Sequence, residues 1–260
     1  MTKETWLSAL TEQTAQLRAA VTDEDLAANL SKPVPSCPGW TVHDLVNHLG
    51  RVYQRLEIYA TSRGARPSQD RLETIESGPA GSEVIGWWDG KLASLTTTLT
   101  ALDPAEPAWN WSHKPQVAAF WHRRAAHETA MHRWDAQLSV SLPDPIDPPE
   151  LASDGVDEAL DTFLPSDSSV AERIRVTGVA RLVATDIDAH WVIRTRANGI
   201  ILLDTGGWFD NEPQVAAVAE GTASDLLLAL WGRVPLSVLD TRGEAQLLEQ
   251  LLVNKAADNN

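Results

Sequence analysis

Four prolines within nine residues, in the segment LPDPIDPPE at 142–150, impose the strongest constraint on how this chain folds. Proline fixes its own φ and lacks a backbone N–H, so neither a helix interior nor a central strand runs through such a segment. The hydrophobic spacing is helical before the segment, whereas short β-type runs follow it. We therefore expect a stiff, extended linker with a boundary near residue 148, between a first domain at 1–145 and a second at 150–257.

The first domain is predicted to contain four amphipathic helices. Their ranges are about 3–21, from 41 to about 60, about 82–102 and about 117–140. In the second helix, Thr41 and Asp44 form a predicted capping box, and apolar residues at 45, 49, 52, 56 and 59 form its inner stripe. Four helices of this length predict a four-helix bundle, whose interior commonly holds metal sites.

The second domain is predicted to be α+β with a small antiparallel sheet. Its predicted strands are 173–179, 181–187, 190–196 and 199–204, with a turn at 197–199 and a further possible strand at 214–221. Two helical stretches follow, at about 223–232 and 244–253.

Composition and charge exclude several classes of partner. The chain has 260 residues, of which 43% are hydrophobic and 22% charged, as in ordinary globular proteins. The net charge of −15 disfavours nucleic acid and anionic membranes, since no block of Lys or Arg offsets it. No apolar run reaches the roughly 18 residues of a membrane span, and the N-terminus is too polar for a secretory signal. We expect a cytoplasmic, monomeric protein that acts on a small molecule.

A single cysteine, Cys37, excludes an intramolecular disulfide and any zinc site made of several thiolates. Its position shortly before the second helix leaves two interpretations open. It is either a nucleophile of low pKa or a buried, inert thiol in a turn, and the second is the simpler.

The fourth predicted helix contains the run WHRRAAHETAMHRWDAQ at 121–137, which is rich in metal-binding residue types. Residues four apart on a helix differ by about 40°, whereas residues five apart differ by about 140°. Glu128 and His132 therefore share a face, which is otherwise small or apolar and is predicted to turn inward. His127 cannot join His132 on one ion, so the spacing is not the HExxH of zinc peptidases.

An inward carboxylate needs a partner, because burying it alone costs several kcal/mol. A metal, an ion pair and a catalytic pair all remain open for Glu128. His48 flanks the inner stripe of the second helix, whereas His43 falls on its wetter side. His48, Glu128 and His132 would supply two nitrogens and one carboxylate oxygen, a set that suits a borderline divalent ion and leaves a position open for catalysis. Asp135 is either a partner that orients an imidazole or a solvated helix charge.

Three stretches together resemble a known family. They are CPGWTVHDLVNHLG at 37–50, AHETAMHRWDAQ at 126–137 and GTASDLLLALWGR at 221–233. These resemble the mycothiol-dependent maleylpyruvate isomerase family, in which a DinB-like metal-binding bundle precedes a domain related to sterol carrier proteins. The resemblance covers the whole chain, and it implies the fold class already expected from the hydrophobic pattern.

The resemblance also implies a chemistry. The family's metal ligands correspond to His48, Glu128 and His132, the metal is usually zinc, and the second cofactor is mycothiol. Bound thiolate would add to the cis double bond of maleylpyruvate, and elimination after rotation would give fumarylpyruvate. Arg233, in the stretch LWGR, is the residue expected to hold a carboxylate of substrate or thiol through its bidentate fork.

Three alternatives remain open from the sequence. Arg233 could be a solvated surface residue. The enzyme could instead be a mycothiol S-transferase that acts on another electrophile. The chain could also be a non-catalytic binding protein that retains the bundle and holds a metal or an apolar ligand.

Overall fold

The computed structural model describes residues 1–22, 25–203 and 214–253. The chain divides into two compact units, Met1–Asp144 and Pro145–Asn260. The predicted strand end at Asp204 and the predicted domain end at residue 257 lie outside the described residues. Within the described ranges, no helix is long and apolar enough to cross a bilayer.

The first unit is helical, which confirms the predicted class of its fold. Its long helices are α1 (Lys3–Thr22), α3 (Val42–Ala60), α5 (Glu83–Ala101) and α6 (Ala119–Val140), and the short ones are α2 (Leu26–Leu30) and α4 (Gln69–Leu72). α1 packs mainly against α6, and α3 packs against both α5 and α6. The core between them is formed by leucines, valines and two fully buried tryptophans, Trp88 and Trp121.

The N-terminus of α3 is fixed by the capping box that the sequence predicts at Thr41 and Asp44. The Asp44 N–H donates to the Thr41 hydroxyl at 3.3 Å, and the Thr41 N–H donates to the Asp44 carboxylate at 2.8 Å. This reciprocal capping box satisfies two amides that have no partner within the helix. The predicted stripe is buried except at its last residue, Tyr59, which is half-buried.

α6 is the least exposed helix of the first unit. Of its 22 residues, 16 are buried. The sequence predicts one inward face, but α6 is covered by α1 and α3 and by the preceding loop, to which Trp121 Nε1 donates at the Trp109 carbonyl. Burial on several sides forces the polar residues of α6 to find partners inside the protein.

The second unit is α+β. Its strands are β1 (Gly178–Ala184), β2 (His190–Arg196), β3 (Gly199–Leu203), β4 (Ala217–Gly221) and β5 (Asp240–Gly243), in the sheet order β3-β2-β1-β4-β5. Its helices are α7 (Pro149–Glu158), α8 (Leu164–Ser166), α9 (Val170–Arg173), α10 (Ala223–Leu230) and α11 (Ala245–Glu249), with a π-helical turn at Ala159–Phe163 and a 3-10 turn at Leu236–Val238. α7 packs against α10.

The second unit departs from the predictions in three ways. The sheet is antiparallel except that β1 and β4 run parallel. The predicted strands 173–179 and 181–187 are replaced by the single strand β1, since α9 ends only at Arg173. The proline-rich segment ends in α7, because proline at the first helical position sacrifices no intrahelical hydrogen bond.

Candidate metal centre

Side chains from two helices of the first unit converge on one point. His48 comes from α3, and Glu128 and His132 come from successive turns of α6. One ligand atom from each lies within 4.8 Å of the others. Glu128 Oε1 is 3.3 Å from His48 Nε2 and also 3.3 Å from His132 Nε2. The structure therefore brings together all three residues that the sequence selects as candidate ligands.

Asp135 orients one of these histidines. Its side chain is fully buried, so it is not a solvated helix charge, and Oδ2 lies 2.9 Å from His132 Nδ1. A carboxylate accepts only, so Nδ1 is the protonated nitrogen of this contact. His132 Nε2 lies 3.3 Å from Glu128 Oε1, so it donates to that carboxylate when it carries a proton, and it offers its lone pair when an ion takes the place of that proton. This is the arrangement that commonly supports a metal-binding histidine.

The loop before α3 also contacts Asp135. The Ser36 hydroxyl donates to Oδ1 at 2.5 Å, and the Cys37 thiol donates to Oδ2 at 3.7 Å. Cys37, His132 and Asp135 form a second group of side chains within 4.8 Å of one another. These contacts join residues 98 or 99 positions apart, so the helical spacing gives no signal of them.

Arg124 is a site residue that the sequence reasoning missed. It lies one turn before Glu128 on α6, and its Nη2 donates to Glu128 Oε2 at 2.7 Å. The Arg124 side chain is only 8% exposed, so the pair is largely shielded from water. The spacing of four residues on one helix was a usable signal, since such pairs face each other.

Trp40 forms an aromatic wall beside both histidines. Its ring centroid lies 4.8 Å from that of His48 and 6.3 Å from that of His132, and the two imidazoles are 5.0 Å apart. The half-buried indole limits how far either imidazole can rotate.

The electrostatics of the group favour a positive charge beside Glu128. Burial opposes ionisation of Glu128, but hydrogen bonds from His132 and His48 and the charge of Arg124 hold its pKa well below the ordinary value. Burial also opposes a charge on His132, yet hydrogen bonds with Asp135 and Glu128 raise the pKa of His132 to about 9. A divalent cation would meet the same carboxylates, and two imidazoles with one carboxylate form a known donor set for zinc. The residues present therefore fit a metal ion.

Comparison with known proteins decides the family. Residues 7–137 match the family model described as the mycothiol maleylpyruvate isomerase N-terminal domain. Residues 150–250 match the one described as the MDMPI C-terminal domain. The chain belongs to the mycothiol-dependent maleylpyruvate isomerase family. This confirms the resemblance found in the sequence.

Solved structures of the mycothiol-dependent maleylpyruvate isomerase share the fold. A histidine-to-alanine mutant of that enzyme superposes with a TM-score of 0.60 at 13% identity, covering 94% of this chain and 95% of the other. Another structure of the enzyme gives a TM-score of 0.58 with the same identity and coverage. No curated protein matches the chain.

Two histidines that the helical spacing places away from the candidate ligands, His43 and His127, also stay outside the candidate ligand groups. His43 Nε2 lies 3.1 Å from the Pro79 carbonyl, at a half-buried position on α3. His127 is buried on α6, five residues from His132. Neither joins a group of possible ligands among the described residues, in line with the predicted faces.

Arg233, the remaining predicted site residue, lies in the family's C-terminal domain just after α10. Gly232 adopts a φ of 62°, and the Arg233 N–H donates to the Leu228 carbonyl at 2.8 Å, a left-handed ending typical of helices. Arg233 is half-buried, and its Nη1 donates to the Trp231 carbonyl at 3.4 Å. Its expected binding of a carboxylate stays a prediction.

Proposed function

We propose that this chain is a metal- and mycothiol-dependent enzyme, and that it converts maleylpyruvate to fumarylpyruvate at a centre formed by His48, Glu128 and His132. The observation that carries the proposal is the position of Glu128 Oε1, which lies 3.3 Å from Nε2 of both histidines. Family membership supports the thiol cofactor and the small-molecule substrate.

The donor set favours zinc, held by two imidazole nitrogens and one carboxylate oxygen with a position left open. When bound, such an ion would keep a coordinated thiol in its thiolate form at neutral pH. The chain contributes no thiolate to the group of His48, Glu128 and His132, so the nucleophilic sulfur would come from mycothiol.

The protein's own residues would set the geometry of the reaction. Asp135 holds the Nδ1 proton of His132, which keeps Nε2 available. Trp40 closes one side of the group beside both imidazoles. Arg233 would hold a carboxylate of substrate or thiol through paired N–H donors. We further propose that the enzyme is a cytoplasmic monomer, with domains at 1–145 and 150–257.

The proposal is tested by metal analysis of the purified protein, followed by calorimetric titration with mycothiol. Wild type should carry about one divalent ion per chain and bind mycothiol only when metal is present. His132→Ala should lose both properties, because it removes one of three ligands. His43→Ala is the matched control, since it removes an imidazole outside the group, and it should behave as wild type.

An assay with maleylpyruvate then defines the reaction. Fumarylpyruvate formed with mycothiol released unchanged would support isomerisation. A stable thioether product would instead establish an S-transferase. A wild-type protein that binds neither metal nor thiol would refute both enzymes and leave a non-catalytic binding protein.

A further inference from the structure

The two oxygens of the Glu128 carboxylate have different partners. Oε1 lies between the two imidazoles, 3.3 Å from each Nε2. Oε2 accepts from Arg124 Nη2 at 2.7 Å. Arg124 is buried and lies one helical turn away on the same helix. The carboxylate is thus divided between a cationic side chain and the candidate metal position.

This division matters because a carboxylate can bind a metal through one oxygen or through both. A short, charge-assisted hydrogen bond from a buried guanidinium to Oε2 is among the stronger polar contacts in proteins. An ion bound to Oε2 as well would lie close to the positive guanidinium in a poorly hydrated environment, where like charges repel strongly. This repulsion disfavours metal binding through the second oxygen.

We propose that Arg124 is a positioning residue that limits Glu128 to one-oxygen coordination. The proposal rests on the metal centre put forward above. Arg124 and the metal compete for the charge of the same carboxylate, so the protein sacrifices metal affinity. In return, a coordination position stays open for the thiol or for a substrate oxygen, and the less neutralised ion remains a stronger Lewis acid.

A purely structural role for Arg124 predicts the opposite effect on metal affinity. If Arg124 only supported the shape of the site, its removal would disorder Glu128 and weaken metal binding. If Arg124 competes with the metal, its removal frees both oxygens of Glu128 and strengthens binding. The sign of the change therefore separates the two roles.

The experiment uses the full chain, stripped of metal and titrated with Zn²⁺ in competition with a chromophoric chelator. Arg124→Met and Arg124→Gln remove the charge at similar length. Each should bind Zn²⁺ about tenfold more tightly than wild type, because the cation that repels the ion and shares the charge of Glu128 is gone. Arg124→Lys keeps a positive charge and should stay closer to wild type. The rise in Tm on adding Zn²⁺ should be larger for the neutral variants.

A second readout reports the coordination number directly. With Co²⁺ in place of Zn²⁺, four-coordinate sites absorb visible light more strongly than five- or six-coordinate ones. Glu128 bound through both oxygens would raise the coordination number, so the neutral variants should absorb more weakly than wild type at equal Co²⁺ occupancy. If a variant only lowered the fraction of folded protein, the Co²⁺ absorption would fall in proportion to that fraction, and the absorption per folded, Co²⁺-bound protein would be unchanged.

Several outcomes would overturn the inference. Equal or weaker Zn²⁺ affinity in folded Arg124→Met and Arg124→Gln would reject competition for Glu128. Unchanged metal affinity with a raised KM would assign Arg124 to substrate binding instead. A wild type that binds no metal would refute the proposed metal centre itself, and this result is separate from any difference among the variants.

Discussion

The two helices that supply the candidate ligands, α3 and α6, are built differently. α3 is amphipathic, with a buried stripe on one side and a wetter side that includes Asp44 and Arg51. α6 is buried along most of its length. The side chain of His48 on α3 is 21% exposed, whereas that of His132 on α6 is 9% exposed. A helix with an open side can place a polar ligand at its margin, but a helix enclosed by protein must supply partners for every charge.

The buried and half-buried polar residues of α6 form hydrogen bonds or ion pairs with nearby side chains. Glu128 is paired with Arg124, His132 with Asp135, and Arg133 with Gln13 and Gln137. Leaving any of these groups without its partner would cost the full desolvation of that group. The contrast predicts that replacing polar residues on α6 destabilises the fold. Replacing polar residues on α3 should change metal binding with less effect on stability.

The largest effect on the free energy of unfolding is expected from replacing Arg133, which is fully buried. Its Nε donates to Gln13 Oε1 at 2.8 Å, and its Nη1 donates to Gln137 Oε1 and to the Asp144 carbonyl, each at 2.6 Å. Arg133→Met removes these donors from three acceptors, two of which belong to the buried Gln13 and Gln137, and should lower the free energy of unfolding by about 3 kcal/mol. Urea unfolding of the metal-free protein measures this loss.

Arg133 also tests whether stability and metal binding are separable on α6. It is not in either group of candidate ligands, so Zn²⁺ affinity of folded Arg133→Met should equal that of wild type. Arg133→Lys retains the charge without the fork and should give an intermediate loss of stability. A loss below about 1 kcal/mol for Arg133→Met would remove the proposed contrast between the helices.

The contrast also explains what the sequence could reveal. The spacing of Leu45, Leu49 and Leu56 predicts α3 correctly because one face of α3 is apolar. On α6 the angular argument still groups Glu128 with His132, since rotation per residue does not depend on burial. The spacing of Arg124 and Glu128, four residues apart, also carries a signal, since such pairs face each other on a helix. Spacing does not supply the environment of a side chain, so the sequence leaves Asp135 with two possible roles.

Local sequence patterns do not predict contacts between segments that are distant in the chain. Ser36 and Cys37 meet Asp135 only after the loop before α3 folds against α6. In the second unit, the parallel pairing of β1 with β4 depends on chain topology rather than on local pattern. α7 departs from the sequence prediction for a different reason: the prolines predict an extended linker, but Pro149 occupies the first position of a helix, where proline is well accepted.

A smaller effect on stability is expected from replacing Gly50, the glycine of α3 that packs against Trp87 of α5. A Cβ at Gly50 would lie 2.1 Å from Trp87 Cζ3, and a Cβ at Gly78 would lie 2.7 Å from Cε3 of the same ring. The indole has glycine on both sides and cannot easily move away. Gly50→Ala should therefore cost about 2 kcal/mol of unfolding free energy, a typical cost of overpacking.

Gly86 on α5 provides the matched control for this substitution. A Cβ there meets nothing within 4 Å, so Gly86→Ala should stabilise the protein by about 0.5–1 kcal/mol through helix propensity. Thermal and urea unfolding of both variants measures the difference. Equal effects for Gly50→Ala and Gly86→Ala would mean that the glycine contact does not define how α3 packs.

The smallest effect on stability is expected at His48 itself. Its imidazole is partly exposed, and without it Glu128 keeps both Arg124 and His132. His48→Ala should change the unfolding free energy of the metal-free protein by less than about 1 kcal/mol, as for other partly exposed positions. The same should hold for His43→Ala, which lies on the same helix.

His48→Ala and His43→Ala should differ in stability only when Zn²⁺ is added. His48→Ala should lose most Zn²⁺ affinity and most of the metal-induced rise in Tm, whereas His43→Ala should keep both, because only His48 Nε2 lies beside Glu128 Oε1. Equal Zn²⁺ affinity for both variants would remove His48 from the ligand set. A large loss of metal-free stability in His48→Ala alone would show instead that α3, like α6, depends on its polar contacts to fold.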